Sequence, residues 1–302
     1  MKQVVVISGK GGTGKTTIVA SFAALAGRVV MADCDVDAAT LHLLLTPKVI
    51  RQQEFRGSKL ASIDRDKCNG CLLCEKNCRY DAISDLKVDP VLCEGCGVCA
   101  FVCPNGAIDL QDRSSGYAYI SETRFGPMSH ARLGAAEVNS GKLVTLVRNN
   151  ARLMAETEGL DPILIDGPPG IGCPVIASLT GVNLAIVITE PTLSGLRDLE
   201  RILALTSHFG VTPLVVINMY DINKANADKT AEFCKGKNVG VLAKISFDPT
   251  VTEAMVAGKT VVEYAPSCTA SGEIRRAWRE VLNILSTDPD DQRGAIPHET
   301  TR

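Results

Sequence analysis

Gly9-Lys10-Gly11-Gly12-Thr13-Gly14-Lys15-Thr16 is the stretch that decides the fold. It fits the phosphate-loop pattern G-x-x-x-x-G-K-[ST], and it lies between a β-branched run at residues 4–8 and a helix-like stretch that begins at Lys15. In such a loop, successive backbone N–H groups turn inward around phosphates at the positive end of the following helix. Lys15 would reach the β- and γ-phosphates of a nucleotide, and the hydroxyl of Thr16 would bind Mg²⁺.

Apolar segments with the spacing of strands and helices alternate along the rest of the chain. Further strands are predicted at residues 29–32, 163–165, 184–189 and 214–218, and helices at residues 142–158, 194–209 and 272–285. Strands that are apolar throughout and alternate with helices indicate a parallel sheet covered on both faces. The sequence therefore predicts an α/β fold with a doubly wound, mostly parallel sheet.

A repeated cysteine pattern interrupts this alternation after the second predicted strand. The chain has 12 cysteines, and the pattern C-x-x-C-x-x-C-x-x-x-C occurs twice in close succession. This spacing is typical of bacterial two-cluster ferredoxins, in which the fourth cysteine of each repeat binds the other cluster. The predicted ligands are Cys68, Cys71, Cys74 and Cys103 for one [4Fe–4S] cluster, and Cys78, Cys93, Cys96 and Cys99 for the second. Two zinc sites are a poorer alternative, because zinc sites rarely use eight thiolates at this spacing.

The repeats divide the chain into a host domain and a small inserted domain. We expect the first part of the phosphate-loop (P-loop) domain at residues 1–57, an inserted ferredoxin domain at residues 58–113 and the second part of the P-loop domain at residues 114–286. Residues 287–302 are polar and contain two prolines, so we expect a disordered tail there.

The phosphate loop carries an additional lysine, Lys10, directly after its first glycine. With this lysine, residues 10–17 resemble the deviant phosphate loop of the MinD/ParA/Mrp ATPases, a superfamily that includes the nitrogenase iron protein. The resemblance implies an ATP-hydrolysing P-loop domain and a nucleotide-sandwich dimer, in which Lys10 reaches the phosphates bound by the partner subunit. The ATP-binding residues that it implies in the loop are Gly9, Lys10, Gly11, Gly12, Thr13, Gly14, Lys15, Thr16 and Thr17.

Later segments extend the resemblance over residues 1–285. Asp35 follows the second predicted strand, at the position of the superfamily's first switch. The resemblance implies that Asp35 acts on the attacking water or on the Mg²⁺ shell. Asp166 and Gly170 lie in a stretch that resembles the Walker B strand and second switch, which implies Mg²⁺ binding through water and sensing of the γ-phosphate by the Gly170 backbone. Asn218 matches the asparagine that recognises adenine, and Asp248-Pro249 lies where backbone groups close the base pocket. The implied catalytic residues are Lys10, Lys15, Asp35 and Asp166, and the implied Mg²⁺ site consists of Thr16, Asp35 and Asp166.

Four cysteines lie outside the repeats. Buried, unreactive thiols are the expectation for Cys34, Cys234 and Cys268. Cys173 is on the second switch, where the nitrogenase iron protein has a cysteine that binds a cluster shared between subunits. That protein needs a second cysteine per subunit, and the corresponding position here carries Asn139. Cys173 is therefore either a structural thiol or a transient redox or cluster contact.

Charge and hydropathy exclude several classes of protein. The net charge is −2, without the basic excess of a general nucleic-acid binder, so no nucleic-acid partner is expected. No apolar stretch approaches the length of a membrane span, and the acidic residues after 287 do not suggest a membrane anchor. Because no signal-peptide pattern precedes the first strand, a cytoplasmic location is expected.

The resemblance leaves three purposes for hydrolysis of ATP to ADP. The first is an ATP-gated electron carrier, the second an iron–sulfur cluster carrier or assembly ATPase of the Mrp type, and the third a positioning ATPase like MinD or ParA. The first is favoured, because permanent clusters would already use every cysteine of the insert. The expected cofactors are ATP, Mg²⁺ and two [4Fe–4S] clusters. The expected partners are a second copy or a similar subunit, and an unidentified redox or iron–sulfur protein.

Overall fold

The computed structural model describes residues 1–134 and 140–287. The strands in these residues are β1 (Gln3–Ser8), β2 (Val30–Asp33), β3 (Lys48–Phe55), β4 (Ser58–Ile63), β5 (Ile83–Ser84), β6 (Lys87–Val88), β7 (Ile108–Arg113), β8 (Gly116–Thr123), β9 (Gly126–Leu133), β10 (Ile163–Pro169), β11 (Leu184–Thr189), β12 (Thr212–Asn218) and β13 (Gly240–Ile245). The helices are α1 (Lys15–Ala26), α2 (Leu41–Leu45), α3 (Leu73–Lys76), α4 (Val98–Phe101), α5 (Ser140–Glu158), α6 (Cys173–Leu179), α7 (Leu193–His208), α8 (Lys224–Gly236), α9 (Pro249–Val256), α10 (Val261–Tyr264) and α11 (Thr269–Thr287), with a 3₁₀ turn at Tyr220–Asn223.

One large sheet forms the host domain, with the strand order β13-β12-β11-β1-β10-β2-β9-β8-β3. The strands from β13 to β9 are parallel, whereas β8 is antiparallel to β9 and β3 is antiparallel to β8. Helices α1, α2, α9, α10 and α11 pack on one face, and α5, α6, α7 and α8 pack on the other. Val4, Val5 and Val6 of the central strand are fully buried, as expected for a strand covered on both faces. The predicted α/β class with a mostly parallel sheet is confirmed.

The edge of the sheet beyond β2 differs from the sequence prediction. Strands β3, β8 and β9 were not predicted, and the cysteine-rich segment therefore leaves the sheet after its third strand rather than after its second. The reason is visible in β3, whose first seven residues are exposed and largely polar. A solvent-exposed edge strand lacks the alternation of apolar and polar residues that identifies strands in a sequence.

The cysteine-rich segment folds into small sheets of its own. β4 pairs antiparallel with β7, from Ser58 opposite Arg113 to Ile63 opposite Ile108, and β5 pairs with β6. These strands and the short helices α3 and α4 enclose a small core. Its buried members are Ala61, Cys74, Ile83, Cys99 and Ile108. Because two of these are cysteines, the packing of this unit depends on the state of its thiols.

Ser115 joins the two strands that enter and leave this unit. It is fully buried, its N–H donates to the carbonyl of Phe55 at 2.7 Å, and its carbonyl accepts from the N–H of Gly134 at 2.8 Å. Its hydroxyl oxygen accepts from the N–H groups of Gly57 (3.2 Å) and Ser58 (3.1 Å) and lies 2.7 Å from the Ser58 hydroxyl. The connection is therefore closely bonded and not an open linker.

The last helix also differs slightly from the prediction. α11 continues to Thr287, so the first residue of the expected tail belongs to a helix, and residues 288–302 lie outside the described part of the chain. Of the helices described, none combines the length and the apolar character needed to cross a lipid bilayer.

Candidate functional site

A cleft opens where the carboxyl ends of β1, β2, β10 and β12 meet, which is the usual ligand position in open α/β sheets. Its cavity has a volume of about 440 Å³, in the range of small-molecule sites. The predicted residues that line it are Gly11, Gly12, Gly14, Lys15, Thr16, Thr17, Asp35, Asn218 and Asp248. The predicted residues outside the lining are Gly9, Lys10, Thr13, Asp166, Gly170 and Pro249.

Gly14 sets the shape of the phosphate loop. Its φ of 92° is in the left-handed region, and it directly precedes α1. A Cβ at this position would lie 2.5 Å from Nδ2 of Asn218, so only glycine fits. The same Nδ2 donates to the carbonyl of Thr13 at 2.8 Å. The end of β12 is thus bonded to the phosphate loop, which fixes the Asn218 side of the cleft relative to this loop.

Three aspartates lie at the adjoining ends of β2 and β10. Asp33 and Asp166 are neighbours in the parallel register and both are buried. Asp33 accepts long hydrogen bonds from backbone N–H groups, whereas within the described residues neither carboxylate oxygen of Asp166 has a hydrogen-bond partner. Burial raises the pKa of Asp166, against the opposing effects of the Thr16 hydroxyl and Lys15. Burial and the repulsion of Asp166 raise the pKa of Asp33, and burial raises that of Asp35.

These side chains fit a magnesium ion. A buried carboxylate is costly unless its charge is compensated, and Lys15 and the Thr16 hydroxyl offset only part of this cost, since the pKa of Asp166 stays raised. Asp166, Asp35 and the Thr16 hydroxyl offer the oxygen donors that Mg²⁺ prefers. Asp33 and Thr40, whose hydroxyl lies 3.3 Å from that of Thr16, were not predicted as site residues. The spacing of Asp33 and Asp35 in the sequence could have indicated Asp33 as a site residue. No sequence pattern distinguishes Thr40 from an ordinary surface threonine.

Lys10 and Gly170 have partners within their own chain. The ammonium of Lys10 pairs with the Glu190 carboxylate and lies 3.2 Å from the Ser194 hydroxyl, so it does not line the cleft. The N–H of Gly170 donates to the carbonyl of Ser8 at 2.8 Å. Contact of either group with a γ-phosphate therefore requires a rearrangement of this conformation.

The Asn218 side of the cleft is lined by apolar side chains that were not predicted as site residues. Met219, Phe247 and Met255 face the cavity, and the latter two are about half exposed. Asp248 caps α9, since its carboxylate accepts from the N–H of Thr250 at 3.0 Å, and Pro249 occupies the first helical position. Single apolar residues in loops resemble ordinary surface residues, so no sequence pattern identified the three.

Two further cavities lie in the cysteine-rich unit, and each is lined by four of the eight repeat cysteines. One is lined by Cys68, Cys71, Cys74 and Cys103. The other is lined by Cys78, Cys93, Cys96 and Cys99. Each set combines three cysteines of one repeat with the last cysteine of the other.

Backbone geometry around these thiols suits a bulky sulfur-bound group. N–H groups of Gly70, Ala82 and Ala107 lie 3.3–3.5 Å from the sulfurs of Cys68, Cys78 and Cys103. Throughout the described residues the thiols are free, and no three His, Cys, Asp or Glu side chains converge closely enough to hold one metal ion. Each set of four thiols has the number and type of donors that a [4Fe–4S] cluster requires.

The cysteines outside the repeats differ in exposure. Cys34 and Cys234 are fully buried as expected, and burial raises the pKa of both thiols. Cys268 is only partly buried, contrary to the expectation, because it lies in the turn before α11 beside Ser271. Cys173 is exposed at the first position of α6. Asn139 lies outside the described residues.

Known proteins resemble this chain in sequence and in fold. The uncharacterized protein MJ0578 of Methanocaldococcus jannaschii is 38% identical over 227 residues, which are 74% of this chain and 80% of that protein. The cell division ATPase MinD of Pyrococcus furiosus has a TM-score of 0.58 at 20% identity and covers 94% of this chain and 99% of its own. The septum site-determining protein MinD of Pyrococcus horikoshii, complexed with Mg-ADP, has a TM-score of 0.59 at 19% identity, with 94% and 97% covered. These two structures share the fold.

The family assignment follows from the length of chain that matches. Residues 4–261 match the family described as the CobQ/CobB/MinD/ParA nucleotide binding domain, and this range includes the phosphate loop, the three aspartates and Asn218. The chain belongs to this MinD/ParA family of nucleotide-binding P-loop ATPases.

Proposed function

We propose that the chain is an ATP-hydrolysing, nucleotide-gated iron–sulfur protein. In this proposal, ATP binding and hydrolysis in a dimer are coupled to electron transfer through two [4Fe–4S] clusters. One observation carries it: two cavities beside a P-loop domain are each lined by four cysteines in the interleaved sets that a two-cluster ferredoxin uses.

The cleft supplies the groups that hydrolysis of ATP to ADP and phosphate requires. Lys15 stabilises negative charge on the β- and γ-phosphates, and Thr16 and Asp166 hold Mg²⁺, which neutralises phosphate charge when bound. Asp35 lines the cavity and orients the attacking water. Phosphoryl transfer depends mainly on positioning and electrostatic stabilisation, and these side chains provide both.

Dimer formation moves Lys10. In the single chain its ammonium is paired with Glu190, beside the cleft. In the proposed sandwich dimer, with a second copy or a similar subunit, Lys10 leaves this pair and contacts the phosphates bound by the other subunit. Nucleotide binding and dimerisation are therefore linked through one side chain.

The two cysteine sets would hold the clusters. When bound, each cluster accepts or releases one electron at low potential. N–H groups directed at cluster ligands favour the reduced, more negative state, and Gly70, Ala82 and Ala107 provide them here. Free thiols suit a reducing compartment, so we place the protein in the cytoplasm. The electron partner is a redox or iron–sulfur protein.

Two other functions each have one supporting observation. An iron–sulfur cluster carrier of the Mrp type is supported by Cys173, an exposed thiol outside both cysteine sets. A positioning ATPase is supported by the likeness in fold to the two MinD structures.

The test is anaerobic analysis of iron, sulfide and zinc, combined with EPR of the reduced protein with and without ATP. We expect about eight irons per chain. Cys71→Ser and Cys96→Ser, one in each set, should each remove one cluster signal, whereas Cys173→Ser, the matched control, should keep both. Zinc in place of iron would contradict the proposal.

The same protein distinguishes the three purposes. An electron carrier keeps its iron while it reduces an artificial acceptor, and ATP changes that rate. A cluster carrier instead loses iron to an apo-ferredoxin, and Cys173→Ser slows the transfer. A positioning ATPase shows neither activity.

A further inference from the structure

The two cysteine repeats fold in the same way. In each repeat the N–H of the first cysteine, Cys68 or Cys93, donates at 3.1 Å to the carbonyl of an aspartate earlier in the chain. A short helix then carries the third cysteine of the repeat, which is Cys74 in α3 and Cys99 in α4. Positions with the same spacing from these cysteines therefore occupy equivalent places on the surface of the unit.

The exposed side chains at equivalent positions differ in character. α3 ends with the exposed Lys76, whereas α4 ends with Phe101, which is 92% exposed. Before the first cysteine, the first repeat has the exposed pair Asp66-Lys67, and the second has the exposed pair Val91-Leu92. Because the fold accepts charged side chains at these places in the first repeat, the second repeat does not need apolar ones there to fold. Exposed apolar surface that folding does not require is typical of an interaction site.

The apolar positions lie beside the second cysteine set. Leu92 precedes Cys93, and Phe101 is on the same short helix as Cys99; both cysteines line the second cavity. Val98, one helical turn before Phe101, also lines this cavity and is 43% exposed. Val98 therefore faces a cysteine cavity and solvent at once. A protein that covers α4 would come close to the second cysteine set.

The charge of this region indicates what kind of partner covers it. Residues 95–108, which include α4, contain no charged side chain. Binding free energy at such a surface comes from burial of apolar area, and the surface gives no electrostatic attraction to a strongly acidic or basic protein. A second copy of this chain would only pass electrons between identical sites, which brings no electron to an acceptor. A different redox protein is therefore the occupant that suits an electron carrier.

We propose that Phe101 and Val98 form the docking site for a separate iron–sulfur protein with an uncharged, apolar contact face. One electron leaves the chain at the second cysteine set and reduces the partner by one electron, and no bond forms or breaks. An iron–sulfur partner fits because its clusters also exchange single electrons at low potential. The proposal rests on the proposed function, since it requires a cluster at the second cysteine set.

Equilibrium binding of an oxidised two-cluster bacterial ferredoxin to the iron-loaded full chain tests the docking site. Phe101→Lys gives α4 the same last residue as α3, and it should raise the Kd about tenfold, as expected for loss of a central apolar contact. Added salt should change the Kd of the parent little, because no charge pair forms at α4. Electron transfer from the reduced protein to this ferredoxin should slow in Phe101→Lys, whereas transfer to ferricyanide, a small acceptor, should not.

Matched controls distinguish charge at α4 from charge elsewhere. Leu153→Lys places the same charge at an exposed leucine of α5, and Lys76→Ala changes the equivalent position of α3. Both should bind the ferredoxin like the parent. Phe101→Lys should keep both cluster EPR signals, since the fold already accepts Lys76 at the equivalent place. Phe101→Ala, which adds no charge, should weaken binding in the same direction.

The outcomes separate this proposal from the proposed function. A chain that binds no iron contradicts both. A parent that holds its clusters but does not bind the ferredoxin, or binds it much more weakly in added salt, overturns the apolar docking site alone. Equal binding by Phe101→Lys and the parent does the same. If the parent self-associates and Phe101→Lys does not, a second copy covers α4, and the separate partner is excluded.

Discussion

The nucleotide cleft and the cysteine-rich unit are built in opposite ways. In the cleft, functional side chains lie at the ends of strands whose own residues, such as Val5 and Ile165, belong to large cores. In the cysteine-rich unit, the buried core has five members, and Cys74 and Cys99 are both core residues and cavity lining. We therefore expect the cleft to keep its shape without a ligand, and the cysteine cavities to depend on what the thiols bind.

Because of this difference, the interaction that destabilises the fold is of a different kind in each region. The cleft has an electrostatic cost, because Asp166 is buried with no hydrogen-bond partner among the described residues. The cysteine-rich unit has a packing cost, because so small a core stabilises a fold only weakly. Ligand removal should therefore unfold one region and leave the other intact.

The largest effect is expected from removal of iron. Stripping the clusters anaerobically should unfold residues 58–113, since metal binding can contribute on the order of 10 kcal/mol to small metal-dependent folds. Hydrogen exchange followed by mass spectrometry should show loss of protection in β4 and β7. Protection in β1 and β11 should remain. Unchanged protection of β4 and β7 in iron-free protein would show that this unit has a self-sufficient core, and would remove the contrast between the two regions.

The second prediction separates the two lysines of the phosphate loop. Lys15→Ala should weaken ATP binding itself, because the buried Lys15 lines the phosphate end of the cleft. Lys10→Ala should bind ATP normally but lose ATP-dependent dimerisation and about 100-fold in hydrolysis, as expected for loss of one charge that stabilises the transition state. Light scattering and phosphate release measure the two effects. Normal dimerisation and hydrolysis by Lys10→Ala would exclude its role across the dimer.

The third prediction concerns the cost of the buried carboxylate. Since burial raises the pKa of Asp166, the folded chain holds a proton there that the unfolded chain has already lost, and stability falls as pH rises through the folded-state pKa. Without Mg²⁺, Asp166→Asn should be more stable than the parent by about 1–2 kcal/mol near pH 8, with a smaller difference near pH 5. Thermal or urea unfolding measures it.

The exposed Asp37→Asn variant is the control, and it should change stability little at either pH. Mg²⁺ with ATP should reverse the order, since only the parent can use the carboxylate to hold the ion. A parent as stable as Asp166→Asn across this pH range would show that the cleft compensates this charge without a ligand.

Sequence patterns predicted the parts of the molecule that depend on local chemistry. The phosphate loop, the Asp166 strand and the cysteine spacing are short motifs, and each gives its residues a recognisable order. The structure places Lys15, Asp35 and Asn218 around one cavity. This proximity follows from the order of the strands in the sheet, which the motifs indicate only through the family resemblance. The α/β class followed from the apolar strands of the sheet.

The rest depends on contacts between distant residues. The pairing of Lys10 with Glu190 and the bonds of Glu273 to Ser246 join segments far apart in the chain, and no local pattern marks them. The edge strand β3 was missed because its exposed residues have no periodic pattern. That omission matters for function, because it changes how the cysteine-rich unit is attached to the nucleotide cleft.

The smallest expected effect is a shift in cluster potential when nucleotide binds. In the chain, α2 and β3 lie between Asp35 at the first switch and the cysteine-rich unit, and in the sheet β3 is the edge strand, separated from β2 by β9 and β8. Hydrogen bonds connect the cysteine-rich unit to the host domain through Ser115. Its carbonyl accepts from the N–H of Gly134, which precedes α5 in the chain. We expect ATP, compared with ADP, to move at least one cluster potential by roughly tens of millivolts, where 59 mV matches a tenfold change in affinity for a one-electron couple.

Redox titration of the ADP and ATP forms measures this shift, and Asp35→Ala, which should bind ATP but hydrolyse it slowly, holds the ATP form during the measurement. Ser115→Ala removes the hydroxyl contacts to Gly57 and Ser58, so it should reduce the shift while both clusters remain bound. Ser84→Ala, at an exposed serine in β5 of the same unit, is the control and should leave the shift unchanged. If the cluster potential of Ser115→Ala shifts as much as that of the parent, the coupling does not depend on the hydrogen bonds of Ser115. Titrations that superimpose in both nucleotide forms would exclude thermodynamic gating, and ATP would then act through dimerisation, by controlling which partner can approach the clusters.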